Sequence, residues 1–375
     1  MIFRIKHSTQ KADTKIQLAS SKSESNRALI INALTGNRSN IENVSTARDS
    51  VTMHRLLHSN DDVLDVIDAG TTMRFLTAYL CLQKAEKILT GTPRMCQRPI
   101  GILVDALREI GAEIEYLEQE GYPPLKVNGM KVQRRNRISI RGDVSSQYIS
   151  ALLMIAPSLP MGLSLDLEGE IGSVPYINMT LQMMAAFGIS YVFTGSTITI
   201  QPQIYTPTSF FVESDWSGAS YWYGIAALAK ASQIELIGLK QNSLQGDAEI
   251  AAFLEKLGVS TVFKDNSILI NKNTAFLLPK SLALNFTNCP DIAQTMAVIC
   301  AGLGVELIMT GVESLKIKET DRLAAIEIEL AKFGVVVQET SPQTYTVSGK
   351  ATVNEQVIDT YDDHRMAMAF APLAL

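Results

Sequence analysis

Four cysteines and four histidines in 375 residues leave little material for redox or metal chemistry. Cys81, Cys96, Cys289 and Cys300 show no C-x-x-C spacing and read as reduced, mostly packed thiols. Only His54 and His58 stand near each other, an i, i+4 pair with no third ligand evident, so no metal is expected. An excess of positive charge is also missing. The formal net charge is −5, which argues against an overall basic surface for nucleic acid. Any anion site must therefore come from local clusters. Long apolar runs are absent too. The longest stretch, "MAVICAGLGVELIMTG", carries two internal glycines and a glutamate and falls short of the ~18–20 residues of a membrane span. The opening "MIFRIKHSTQKADTK" has no apolar core, so no signal peptide is expected and the protein reads as cytoplasmic. Neither GxxxxGK[ST] nor a GxGxxG after a strand occurs, so no nucleotide cofactor is indicated. Met-rich stretches such as "LQMMAAFG" read as core filler.

What the chain has is length, apolar content and repetition. With 46% hydrophobic residues, 375 residues suffice for two domains, since single cores rarely grow past ~250–300 residues. Four segments share one grammar: "ALREIGAEIEYL", "MMAAFGISYVF", "FLEKLGVSTVF" and "ELAKFGVVVQE". Each predicts an amphipathic helix, a glycine suited to the left-handed position past its end, then an alternating strand. The glycines, Gly111, Gly188, Gly258 and Gly334, recur at intervals of roughly 70–77 residues. A second helix type has a polar or small start and an apolar body: "SESNRALIINALTG", "GTTMRFLTAYLCL", "SSQYISALLMIAP", "SGASYWYGIAALA", "PDIAQTMAVICAG" and "DDHRMAMAFAPLAL". Alternation of the two types predicts six related β-α-β-α-β-β units, three to a domain. "DSVTMHRLLHS" fills the second-helix slot of the first unit, and the sixth unit is expected to be incomplete at its C-terminal end.

The polar starts collect residues that suit anions. A helix N-terminus offers free N–H groups and the positive end of a dipole. Lys22, Ser23 and Arg27, then Arg74, then Ser145, Ser146 and Gln147, then His364 and Arg365 all fall at such starts. Any one of them alone is an ordinary cap or surface cation; the set suggests a shared anionic ligand. "GTPRMCQRPIG" adds Arg94 and Arg98 before Pro99, which suits the first position of a helix. "LKIKETDRLAAI" places Lys318 and Arg322 on one face if helical, with Glu319 and Asp321 between them, and a lysine beside a glutamate can also move protons. Asp291, after Pro290, reads as an N-cap.

The stretches "SKSESNRAL", "DAGTTMRFL", "PRMCQRPIG", "SSQYISALLM", "VPYINMT", "DWSGASYW", "QGD", "PDIAQTMA", "KETDRL" and "DDHRMAM" run in order through nearly the whole chain. Together they resemble the 5-enolpyruvylshikimate-3-phosphate synthase (3-phosphoshikimate 1-carboxyvinyltransferase) family. The resemblance implies an α/β, two-domain enolpyruvyl transferase fold of three β-α-β-α-β-β units per domain, an inside-out α/β barrel, with residues 19–213 as one domain and 1–18 plus 214–375 as the other. It implies transfer of the enolpyruvyl group of phosphoenolpyruvate to the 5-hydroxyl of shikimate 3-phosphate, with phosphate released and the ligands in the interdomain cleft. Neither metal nor cofactor is implied, and the protein is expected to be a monomer with no nucleic-acid or membrane partner.

Carried over residue by residue, Ser23, Arg27, Ser145, Ser146, Gln147, Ser173, Tyr176, Asp291, Ser314 and Lys318 would hold shikimate 3-phosphate. Lys22, Gly70, Arg98, Gln147, Arg322, His364 and Arg365 would hold phosphoenolpyruvate. Lys22, Asp291 and Glu319 would serve as acid–base groups. The chain departs from the family pattern at Asp68 and Ser314, each in place of an asparagine, at Phe75 in place of a proline, and in lacking the family's last strand, loop and helix with its phosphoenolpyruvate-binding lysine. Two alternatives stay open: UDP-N-acetylglucosamine enolpyruvyl transferase, which shares the fold and the donor, and a truncated form that binds ligand without turnover.

Overall fold

The computed structural model describes residues 4–6, 11–143, 145–169, 171–172, 174–317, 320–352 and 355–375. They divide into two compact units, Ser20–Glu213, and Met1–Ala19 with Ser214–Leu375. Among the described residues the strands form four four-stranded sheets and one two-stranded sheet.

In unit Ser20–Glu213 the helices are α1 (Lys22–Leu34), α2 (Arg48–Leu57), α3 (Gly70–Leu80), the short α4 (Pro93–Cys96), α5 (Gly101–Ile110), α6 (Ser146–Ile155) and α7 (Val174–Ala186). Strand Val63–Asp65 pairs in parallel with Lys87–Thr90 across the α3 crossover, and Leu125–Val127 and Ile114–Tyr116 add antiparallel neighbours. The sheet of Arg137–Arg141, Leu163–Glu168, Thr197–Ile200 and Val192–Thr194 repeats that order around α6 and α7. A parallel pair needs such a helical crossover, whereas the antiparallel pair closes through a short turn, and this alternation generates the repeat. The two-stranded sheet joins Ser209–Phe211 to Asn40–Glu42.

The other unit holds α8 (Trp216–Leu228), α9 (Ile250–Glu255), α10 (Ala293–Leu303), α11 (Arg322–Ala331) and α12 (His364–Phe370). Strand Ala12–Gln17 pairs in parallel with Ser232–Ile237, although the whole of Ser20–Glu213 intervenes in sequence before that unit resumes. Ser267–Lys272 and Val259–Lys264 complete that sheet; Ser281–Asn285, Glu306–Thr310, Thr344–Ser348 and Val336–Ser341 form its counterpart.

Most of the polar-start helices are enclosed, whereas α12 exposes His364, Ala367 and Met368. Every residue of α10 from Ala293 to Ala301 is buried, and α10 packs against α8, α11 and α12. Helices so enclosed are apolar all round, which explains why their sequences lack a clear amphipathic stripe. The glycine-stopped helices lie further out with one apolar face, as on α5, where Leu103, Val104, Ala106, Leu107 and Ile110 are buried. Burial pushes the thiols of Cys81 and Cys300 up to about 12, so they pack rather than react. No helix among the described residues is long and apolar enough to cross a membrane.

All four predicted stop glycines are left-handed: φ is 128° at Gly111, 84° at Gly188, 81° at Gly258 and 78° at Gly334. They differ in space. A Cβ on Gly111 would lie 2.3 Å from the Val132 carbonyl oxygen, whereas one on Gly334 would meet nothing within 4 Å. Gly334→Ala is expected to cost only the conformational term, about 1 kcal/mol, and Gly111→Ala about 2–4 kcal/mol because backbone must also move. Urea unfolding of the two variants checks this; equal losses would contradict it.

Candidate active site

In unit Ser20–Glu213 the site is built on the start of α3. Ile67, a β-branched residue, sits at φ 61°, a conformation that costs on the order of 1–3 kcal/mol. It is held there because its N–H donates to Asp65 Oδ1 at 2.7 Å and its carbonyl accepts from the Thr92 N–H at 2.7 Å. That turn leads through Asp68 and Ala69 to Gly70, the first helical residue. The Arg98 guanidinium lies against Gly70: a Cβ there would stand 2.5 Å from Nη1 and 2.9 Å from Cζ. A side chain at Gly70 would displace the Arg98 guanidinium, so glycine lets a cation and free helix N–H groups share one spot.

Buried Arg74 fixes the segment that carries Arg98. Its Nη1 donates to the Gly70 carbonyl at 3.2 Å and its Nη2 to the Pro99 carbonyl at 2.9 Å, and Tyr148 Oη donates to the same Pro99 oxygen at 2.7 Å. Burial, then the nearby charge of Arg98, lowers the Arg74 pKa. Around this start, Gln147 Nε2 donates to Thr71 Oγ1 at 3.2 Å, bringing α6 to α3. Lys22 pairs with Asp49 at 3.6 Å, Arg48 pairs with Asp68, and Thr72 Oγ1 donates to the Asp49 carbonyl at 3.1 Å. The starts of α1, α2 and α3 therefore pair Lys22 with Asp49 and Arg48 with Asp68, beside the Arg98 guanidinium on Gly70.

Arg27 lies deeper. It donates to Thr180 Oγ1 at 2.7 Å, to Ser150 Oγ at 3.0 Å and to the Ser23 carbonyl at 3.0 Å. Its guanidinium also faces the rings of Phe75 and Tyr176, with centroids 5.4 and 5.8 Å away. Burial lowers its pKa to about 10, so it stays charged at neutral pH. Ser145 caps α6 by accepting from the Gln147 N–H, Ser146 is buried at its first position, and Tyr176 is half-buried on α7.

In the other unit one carboxylate gathers two arginines. Asp291 Oδ1 accepts from Arg322 Nη1 at 3.0 Å, and Asp291 Oδ2 lies 3.4 Å from Arg365 Nη2. Arg322 Nε donates to Asp363 Oδ2 at 2.7 Å, and Asp363 Oδ1 caps α12 by accepting the Arg365 N–H at 2.9 Å. Asp247 accepts from the Ser217 hydroxyl nearby. Burial works against the Arg365 cation, yet Asp291, Tyr221, Asp247 and Asp215 outweigh it and hold its pKa well above the usual value. Among the described residues no group of three His, Cys, Asp or Glu is placed to hold a metal.

The model of the family described as EPSP synthase (3-phosphoshikimate 1-carboxyvinyltransferase) matches residues 54–375. The chain belongs to the EPSP synthase family. It is 48% identical over 363 residues to the 3-phosphoshikimate 1-carboxyvinyltransferase of Bacteroides fragilis strain YCH46, covering 96% of this chain and 88% of that protein. It is 38% identical over 395 residues to the enzyme of the same name from Vibrio atlanticus, covering 98% and 91%. The EPSP synthase of Acinetobacter baumannii shares the fold, with a TM-score of 0.80 at 19% identity over 99% of this chain and 91% of that one.

Three local expectations are corrected. Pro99 is not at a helix start: Pro93 opens α4 behind the Thr92 cap, and α5 begins at Gly101. Asp291 is not an N-cap. It lies in the turn Pro290–Ile292, the residue capping α10 is Ile292, and the Asp291 carboxylate goes to the arginines. Arg74 is no ligand at a helix start, since its guanidinium is committed to backbone carbonyls. The helix carrying Arg322 begins at that residue, behind the Asp321 cap. Ser173, Lys318 and Glu319 lie outside the described residues. Ser314 is half-buried in the turn Glu313–Ile317, and His364 is exposed on the first turn of α12.

Asp49, Arg48, Asp363 and the Ser217–Asp247 pair are not among the candidate residues of the sequence, and Asp68 enters there only as a departure from the family pattern. "QGD" and "DDHR" contain two of these carboxylates, and only in "DDHR" does the acid stand near an arginine. Asp247 offers a test. Burial, then the charge of Asp291, raises its pKa from 3.8 to about 7. The folded protein therefore holds this proton more tightly than the unfolded chain. That stabilisation is complete below the unfolded value and is lost as pH rises through about 7. Wild-type stability relative to Asp247→Asn should fall between pH 4.5 and 8 by on the order of 1–4 kcal/mol. Urea unfolding across that range checks it; a difference independent of pH would contradict it.

Proposed function

We infer that this chain transfers the enolpyruvyl group of phosphoenolpyruvate to the 5-hydroxyl of shikimate 3-phosphate and releases phosphate. Each substrate carries a carboxylate and a phosphate, so an acidic protein must concentrate cations locally. The observation that carries the reading is the pair of guanidinium groups, Arg322 and Arg365, held on Asp291 in a chain of this family. A planar fork binds carboxylate or phosphate with two bonds.

On this reading Lys22, Gly70, Arg98, Gln147, Arg322, His364 and Arg365 serve phosphoenolpyruvate. Ser23, Arg27, Ser145, Ser146, Gln147, Ser173, Tyr176, Asp291, Ser314 and Lys318 serve shikimate 3-phosphate. The hydroxyl adds to C2 of the enol while C3 gains a proton; phosphate then leaves the tetrahedral intermediate as C3 loses one. Asp291, Lys22 and Glu319 are the groups suited to these transfers, each typically worth ~10²–10⁴-fold. The arginines favour the charge-rich transition state. The same reading has the protein as a cytoplasmic monomer.

Phosphate release with both substrates is the direct test, with UDP-N-acetylglucosamine compared as acceptor. Release only with shikimate 3-phosphate is expected; calorimetric binding of shikimate 3-phosphate without any release would overturn the reading. Arg98→Ala and Arg365→Ala should each lower kcat/KM for phosphoenolpyruvate by about 10²–10³-fold. Glu319→Gln should lose most turnover while retaining shikimate 3-phosphate binding, and near-normal rates would remove Glu319 from the acid–base set.

A further inference from the structure

The segment that leads into α12 is held in a conformation it would not choose alone. Tyr361 and Asp362 both sit at φ 54°, and neither is glycine. Two consecutive left-handed residues with side chains persist only where their surroundings over-determine them. Here the surroundings belong to α11. Glu329 is fully buried. Its Oε1 accepts from Tyr361 Oη at 2.9 Å; its Oε2 accepts from the Asp359 N–H at 3.1 Å and from Lys332 Nζ at 2.7 Å. Lys332 also donates to the Val357 carbonyl at 2.9 Å. A carboxylate is kept in the interior only when its oxygens are satisfied, and these partners draw residues 357–361 onto α11.

The other end of the segment is held by the same helix. Arg322 stands seven residues before Glu329, two turns along one face of α11. It donates to Asp363 Oδ2 at 2.7 Å, while the Asp363 N–H donates to the Thr360 carbonyl at 2.8 Å. Phe333 and Phe370, with centroids 6.4 Å apart, pack the end of α11 against α12. The left-handed pair is therefore bracketed by Glu329 on one side and the Arg322–Asp363 bond on the other. The next side chains along the chain are His364 and Arg365. Burial, then the bond to Glu329, pushes the Tyr361 phenol up to about 12, so its O–H remains a donor at neutral pH.

We propose that Glu329 is a positioning residue for phosphoenolpyruvate: through Tyr361 and the left-handed turn it sets where Arg365 stands beside Arg322 on Asp291. This rests on the assignment of both arginines to that substrate. Glu329 touches no reacting atom and acts only through the turn.

Tyr361→Phe is the mildest variant, since it removes one hydroxyl from a side chain that is itself 37% exposed. It should raise KM for phosphoenolpyruvate about 5–10-fold, leaving kcat within about twofold and KM for shikimate 3-phosphate unchanged. Glu329→Gln should shift the same KM. Adding Asp362→Gly to Tyr361→Phe should return KM towards the wild-type value, because glycine adopts the left-handed conformation without opposing the turn. Amide hydrogen exchange at Asp359, Asp363 and Arg365 should quicken at least about tenfold in Tyr361→Phe. A lowered Tm with both KM values unchanged would make the clamp structural only and overturn the proposal, as would unchanged exchange. A wild-type protein with no turnover would instead overturn the assignment of substrates on which it rests.

Discussion

The Asp291 carboxylate is the contact on which the second cluster depends. Two like charges about 4 Å apart repel by about 4 kcal/mol at an effective dielectric near 20, so Arg322 and Arg365 would not stay together unaided. Asp291 meets Arg322 at 3.0 Å and Arg365 at 3.4 Å, and Asp363 takes the remaining edge of Arg322 at 2.7 Å. Side-chain exposure of Arg322 and Asp363 is 1% and 0%. Removing one partner of pairs buried to that degree is strongly destabilising, which ties the folding of the unit to the integrity of this cluster. On the proposed reading, Asp291 and Asp363 pre-align the cations for the substrate.

The first cluster meets the same requirement by other means. It keeps its cations nearer the surface and aims them with backbone geometry. A strained Ile67 turns the chain into α3, glycine makes room for the Arg98 guanidinium, and a buried arginine, Arg74, ties the two segments through carbonyl oxygens. Lys22 and Arg48 are balanced by Asp49 and Asp68 as exposed pairs, which are individually worth little. Their value lies in holding charge in place without sequestering it. The Asp68 that replaces the family asparagine has a partner in Arg48, so the added negative charge at the start of α3 is compensated locally.

Much of the architecture was legible before any coordinates. The stop glycines could be named because a left-handed position past a helix end admits few other residues, and the alternation of two helix types follows from burying one type on all sides and the other on one. Boundaries were less legible. Helix α11 starts at Arg322, where the Asp321 carboxylate caps the N–H of Ala324. Pro93 and Pro99 satisfy the same local rule for a helix start, yet only Pro93 opens a helix, while α5 begins at Gly101.

The sequence by itself determined the repeat, the identity of the family and which residue types crowd the helix starts, because these rest on short-range periodicity and on motifs contiguous in the chain. Tertiary structure alone decided which charged residue aims outward and which becomes a strut. Arg74 and Arg98 are both arginines of one motif pair, yet one is buried on carbonyls and the other lies on Gly70. Asp291 finds Arg322 across 31 positions, Arg322 finds Asp363 across 41, and Glu329 finds Tyr361 across 32. No local pattern specifies such partners, because a guanidinium goes wherever the folded backbone supplies acceptors and excludes water.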